Sequence, residues 1–172
     1  TTALITDMDQ PLAGTAGNAL EVAYAIDYLT GAVREPRMHE VVMALAAEML
    51  VLARLARTTA SARAKLQAAL DSGAAAERFQ AMVRALGGPR DLVAKPWKHL
   101  ERAPVVVDVH APAAGIVTRI DTRRVGLAVV ELGGGRTRPQ DPVDHAVGLT
   151  QLAALGERID ASRPLATVHA RT

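Results

Sequence analysis

Asp7 and Asp9 flank Met8, directly after the apolar run Ala3-Leu4-Ile5. Two carboxylates on a loop behind a buried strand can hold a cation or the hydroxyls of a ribose; more often such a pair caps turns. A second candidate lies at Gly133-Gly134-Gly135-Arg136, with Arg138 two residues on. Consecutive backbone N–H groups beside guanidinium groups can form an anion-binding nest. The run lacks a following Lys-Ser/Thr and trails a helical pattern rather than a strand, so it is no P-loop and reads first as a mobile loop. The five histidines, His39, His99, His110, His145 and His169, never fall at a metal-binding spacing such as HxH or HExxH. Each reads as a surface or strand-edge residue. Glu131, Asp141 and Asp144 are too scattered to nominate an acid–base pair, and Ser61, Ser72 and Ser162 have no glycine-flanked elbow. Cysteine is absent, which excludes disulfides, cysteine-ligated metals and a thiol nucleophile. On residues alone, no catalytic set assembles.

The elements that would position these residues change character near residue 100. The first half reads as a helical array. Asn18 with Glu21 three residues on resembles a capping box, and Gly31 is a natural helix stop. A second helix spans 38–55. Its face of Val41, Val42, Leu45, Met49, Leu52 and Leu55, with Met43, Leu50 and Val51 around it, predicts burial on most sides. On that reading, Leu45→Asp unfolds the helical half. Ser61 starts a third helix to Leu70, and a fourth runs from Ala74 to Leu86. The polar, proline-bounded stretch 89–104 reads as a linker anchored by Trp97. Beyond it the period shortens. Strands are predicted at 105–109, 115–120, 147–152 and 165–169, with a helix over 123–132 started by Asp121. A further strand is predicted at 3–6. The fold class is therefore α/β, α+β in the second half, with domains over 1–100 and 101–172. Strand-like runs at both ends give the chain the look of a piece of a larger structure.

Composition narrows the function. The 172 residues carry a net charge of +2 and only 2% aromatics, so neither a basic footprint nor a stacking platform for nucleic acid is present. No apolar run approaches the roughly 20 residues of a membrane span, and no secretory signal pattern is visible.

Two resemblances add to this. Ala113-Ala114-Gly115-Ile116-Val117, Leu155-Gly156-Glu157-Arg158-Ile159-Asp160 and Arg163-Pro164-Leu165-Ala166 resemble half-motifs of barrel-sandwich carriers. The lysines, Lys65, Lys95 and Lys98, all precede that region, which argues against a carrier. A more extensive likeness starts at Leu4-Ile5-Thr6-Asp7-Met8-Asp9-Gln10-Pro11-Leu12 and Ala16-Gly17-Asn18-Ala19-Leu20-Glu21-Val22. It continues through Ala44-Leu45-Ala46-Ala47-Glu48-Met49-Leu50, Asp121-Thr122-Arg123-Arg124-Val125-Gly126-Leu127-Ala128 and Leu132-Gly133-Gly134-Gly135-Arg136. It ends in Arg163-Pro164-Leu165-Ala166-Thr167-Val168-His169-Ala170. In this order the chain resembles the thymidine and pyrimidine-nucleoside phosphorylase family, nearer to its thymidine-cleaving members.

The resemblance implies a dimeric cytoplasmic pentosyltransferase without a cofactor. Inorganic phosphate and a pyrimidine deoxynucleoside would be its substrates. The family's phosphate-binding segment, pyrimidine contacts and catalytic histidine align upstream of Thr1, so the expectation is no catalytic residue in this chain and no activity by itself. Some relatives bind potassium through two carbonyls and a glutamate. Those positions are Leu12, Thr15 and Tyr24 here, and no metal is expected, because tyrosine supplies no carboxylate. Gly133, Gly134, Gly135 and Arg136 match an interdomain loop near the cleft. The alternative is a non-catalytic scaffold or binding module that keeps the C-terminal fold.

Overall fold

The computed structural model describes residues 1–172. Its helices are α1 (Asn18–Thr30), α2 (Pro36–Leu52), α3 (Thr59–Asp71), α4 (Ala74–Ala85), α5 (Pro96–His99) and α6 (Thr122–Val129). Its strands are β1 (Val105–Val109), β2 (Gly115–Ile116), β3 (Gly148–Thr150), β4 (Arg158–Ile159) and β5 (Ala166–Ala170). The chain divides into two compact units. One holds residues 1–6 and 25–99; the other holds 7–24 and 100–172.

The first unit is helical. Pro36 sits in the first turn of α2, where its missing N–H costs nothing. The capping of α3 falls on Thr58 rather than Ser61. The Thr58 hydroxyl accepts from the Ser61 N–H at 3.2 Å, and the Ser61 hydroxyl accepts from the Thr58 N–H at 3.2 Å, a reciprocal box with serine in place of the usual acid. Tyr28, Met43 and Leu70 form the core, with Leu29, Val42, Leu66 and Ala75 packed against it. Between α2 and α3, Arg63 clasps the Glu40 carboxylate. Arg34 donates to Asp71 at 3.1 Å.

Three expectations fail in this unit. The run at 3–6 forms no strand, and Ile5 is fully exposed. An apolar run becomes a strand only where a ladder partner meets it, and the two sheets here are built from other segments. On α2, the buried residues are Met43 and Ala47, while Leu45, Met49 and Leu52 lie exposed, as does Leu55 beyond it. The helix carries two apolar stripes on opposite sides, and only the Met43 side meets α3 and the core. The stretch 89–99 is also no loose linker. Leu92 is buried, and the Gln80 amide bonds Pro89 and Val93.

The second unit holds a three-stranded antiparallel sheet in the order β1-β5-β3 and a two-stranded one, β2-β4. Val107 faces Val168 in one ladder, and Leu149 faces Val168 in the other. The predicted strands 115–120 and 147–152 shorten to Gly115–Ile116 and Gly148–Thr150. Asp121 starts α6, its carboxylate accepting from the Arg124 N–H at 3.0 Å. At the head of α1 the predicted Asn18–Glu21 box does not form. Glu21 accepts from the Gly17 N–H at 3.0 Å, but the Asn18 amide turns away and donates to the Gly134 carbonyl at 3.1 Å.

Candidate functional site

The glycine-rich segment begins where α6 widens into a π turn, Val130–Gly134. Gly133 ends it at φ +95°, a backbone conformation that side chains other than glycine rarely adopt. Its carbonyl accepts from the Asp144 N–H at 2.9 Å. A Cβ on Gly135 would lie 2.7 Å from a Val130 methyl, so the chain can fold back along the helix only with glycine there.

The loop that follows is closed by its own acid. Asp141 accepts from the Thr137 hydroxyl at 2.7 Å, the Thr137 N–H at 3.3 Å, the Arg138 N–H at 2.8 Å and the Arg138 Nε at 3.1 Å. Hydrogen bonds from Thr137 and then from Arg138 hold the Asp141 carboxyl below its ordinary pKa. Asp141 therefore takes up the Arg138 guanidinium and the N–H groups of Thr137 and Arg138, while none of these bonds reaches Gly133, Gly134, Gly135 or Arg136. Arg136 keeps one weak contact, to the Pro139 carbonyl at 3.4 Å, and is exposed without an ion pair.

Asp144 and Arg171 clamp the loop's far end. The Arg171 guanidinium bonds both Asp144 oxygens, at 2.5 and 2.9 Å, and reaches Glu101 at 2.6 Å. Arg171 lowers the Asp144 pKa, chiefly by hydrogen bonding. A matching clamp joins Arg163 to Glu157 at 2.5 and 3.0 Å, while the same guanidinium donates to the Gln151 and Pro164 carbonyls. Glu157 is held low by that hydrogen bonding to Arg163. The Arg171 clamp was not visible in the sequence, because its two acids, Asp144 and Glu101, lie 27 and 70 residues from it.

The acidic pair serves turn geometry. Asp7 accepts from the Asp9 N–H at 3.2 Å, and the Thr122 hydroxyl ties the intervening Met8 carbonyl at 3.0 Å. Asp9 lines a polar hollow of about 430 Å³ with Thr118, Arg119, Asp121 and Thr122. No group of three or more His, Asp or Glu side chains gathers at metal-ligating distance. At the potassium-site positions, Leu12 is exposed and Thr15 and Tyr24 are half-buried. The histidines are spread over separate jobs: His39 meets the Tyr28 hydroxyl at 2.9 Å, His99 meets Asp91 at 2.5 Å, and His169 meets the Thr150 hydroxyl at 2.9 Å. Burial pushes the His169 pKa down.

The two carboxylate clamps make a pH prediction. Asp144 and Glu157 titrate lower in the folded chain than in the unfolded one, so their contribution is complete above the ordinary carboxylate range of about 4 and is lost as pH falls below it. The urea midpoint should drop on acidification through that window. Arg163→Ala should cost about 1–2 kcal/mol at neutral pH and flatten the acid limb. An unchanged midpoint in Arg163→Ala contradicts the clamp.

Residues 1–76 match the family described as Glycosyl transferase family, a/b domain, and residues 116–172 match Pyrimidine nucleoside phosphorylase C-terminal domain. Over 171 residues the chain is 63% identical to the thymidine phosphorylase of Burkholderia cenocepacia (strain HI2424). The same identity holds against the thymidine phosphorylase of Burkholderia orbicola (strain AU 1054). Along its whole length the chain is similar to thymidine phosphorylases. These alignments take in 99% of this chain and 39% of each relative, so the chain spans about two fifths of their length. The glycine-rich loop and both arginine clamps fall in the C-terminal-domain match, apart from Glu101. The acidic pair falls in the a/b-domain match. No helix is long and apolar enough to cross a membrane.

Proposed function

We propose that this chain is the C-terminal part of a thymidine phosphorylase. In the intact enzyme the reaction is reversible transfer of a deoxypentosyl group from thymine to phosphate. Thymidine and inorganic phosphate give thymine and 2-deoxyribose 1-phosphate, with no cofactor. The observation that carries this reading is 63% identity over 171 residues, spanning both family matches in their order.

The part assigned to these residues is support and closure. Residues 1–100 contribute the rear of the phosphate-binding lobe, and 101–172 contribute the C-terminal domain that buttresses it. Gly133, Gly134, Gly135 and Arg136 form an interdomain loop beside the cleft. Its backbone is set by Asp141 and Asp144, leaving Arg136 to face outward. The intact enzyme would act by holding phosphate and nucleoside in line and stabilising positive charge on the departing sugar. On this reading those tasks fall to groups outside these residues. The intact enzyme is a homodimer on this reading.

Thymine release from thymidine plus phosphate tests it. The 172-residue chain alone should give no release above the buffer rate. The same chain joined behind the preceding segment of the Burkholderia cenocepacia relative should restore turnover. Turnover by the chain alone overturns the assignment of catalysis to other residues. A folded but inactive chimera favours a scaffold that has kept the fold without the enzyme.

A further inference from the structure

We propose that the groove beside α4 in the helical unit binds an aliphatic chain ending in an anionic head. The groove has a volume of about 650 Å³, within the range of small-ligand sites. Its α4 wall is lined by Ala76, Ala81 and the stem of Arg84, and its opposite wall by Val93 and Ala94. Small alanines leave the space open.

That opposite wall is fastened. Gln80 uses both ends of its amide. Its Nε2 donates to the Pro89 carbonyl at 2.7 Å, and its Oε1 accepts from the Val93 N–H at 2.9 Å. Lower down, His99 at 2.5 Å and Lys98 at 3.3 Å engage Asp91, which neutralises that acid. Each bond fixes the segment 89–99 to itself or to α4, so the groove exists without an occupant.

Charge selects the ligand. Arg84 and Arg90 both line the groove, and no ion pair or side-chain hydrogen bond holds either guanidinium. Elsewhere in this unit Arg34 and Arg63 are paired with acids. Glu77 also lines the groove without an ion pair, but it lies seven residues before Arg84, about 10 Å along the helix axis. The groove therefore combines alanine and valine walls with two guanidinium groups that no acid holds. A carboxylate or phosphate head at Arg84 and Arg90 gains forked hydrogen bonds, and a chain along the alanines leaves water.

The probe is decanoate, held below its micelle concentration and titrated into the ¹⁵N-labelled chain. Saturable amide shifts should map to Gln80, Ala81, Val93 and Ala94. Decyl phosphate should bind at the same place if the head is read by charge alone, and decanoate more tightly if it is read as a carboxylate. Decyltrimethylammonium, with the same tail, should bind at least tenfold more weakly. Arg84→Glu combined with Arg90→Glu changes two exposed side chains and should weaken decanoate at least tenfold, with the amide spectrum otherwise intact. Ala81→Trp should block binding by filling the floor. Shifts that appear only along the exposed side of α2, or decanoate binding that survives the double charge reversal, overturn the proposal.

Discussion

Gly148→Ala should collapse the second unit, at a cost above about 3 kcal/mol. Residues 16 and 17 run across residues 147 to 149 at the closest range that backbones allow. Ala16 and Leu149 exchange hydrogen bonds of 2.9 and 2.7 Å, and the Leu152 N–H donates to the Gly14 carbonyl at 3.0 Å. A Cβ on Gly148 would lie 2.3 Å from the Ala16 carbonyl oxygen and 2.9 Å from the Gly17 Cα. Those are backbone atoms and cannot rotate away. Gly148 also sits at φ +151°, so alanine is strained there even without the clash. The neighbours magnify the effect, because Ala146 and Val147 are fully buried. Gly126→Ala is the matched control. It lies inside α6 with nothing within 4 Å of its new methyl, and alanine there should stabilise by about 0.5–1 kcal/mol. Urea midpoints for the two variants should move in opposite directions. A Gly148→Ala chain that unfolds with the parent shows that the crossing is not tight in solution.

Local signals were readable in the sequence wherever cause and effect sit within one helical turn. Asp121 caps α6 as its spacing implies, because the bond spans three residues. The start of α3 was displaced by three residues for the same reason. Thr58 and Ser61 each can cap, and only the backbone entering from Arg57 decides which one does. Strand ends were less readable. Val107 becomes a strand residue by meeting Val168, a partner no local pattern specifies. The glycine-rich loop shows the same limit at a site. Its glycines and arginines have the composition of an anion nest, but Asp141 takes the Arg138 guanidinium, and a side chain's choice between ligand and neighbour is made in three dimensions. The likeness to the phosphorylases was legible for a different reason. Many short motifs in order carry information that no single motif does.

The sharpest test of the helical unit pairs two substitutions on one helix. Met43→Asp should abolish cooperative unfolding of this unit. Met43 is 4% exposed and packs with Tyr28 and Leu70, so an aspartate there is either an unpaired buried charge or a protonated acid without its solvent. The penalty is several kcal/mol before the lost methionine contacts are counted. Leu45→Asp should cost only about 1 kcal/mol, from partial burial and weaker helix propensity. Leu45 is 49% exposed, and its carboxylate would remain in water. Apolar periodicity alone ranks Leu45 as the core position; the packing of α2 on α3 reverses that order. Far-UV circular dichroism against urea separates the alternatives, since most of the helix lies in this unit. If Leu45→Asp unfolds the chain and Met43→Asp does not, the inward face of α2 has been assigned to the wrong side. The stripe of Leu45, Met49 and Leu52 would then be the core, and Tyr28 and Leu70 would need another neighbour to close over them.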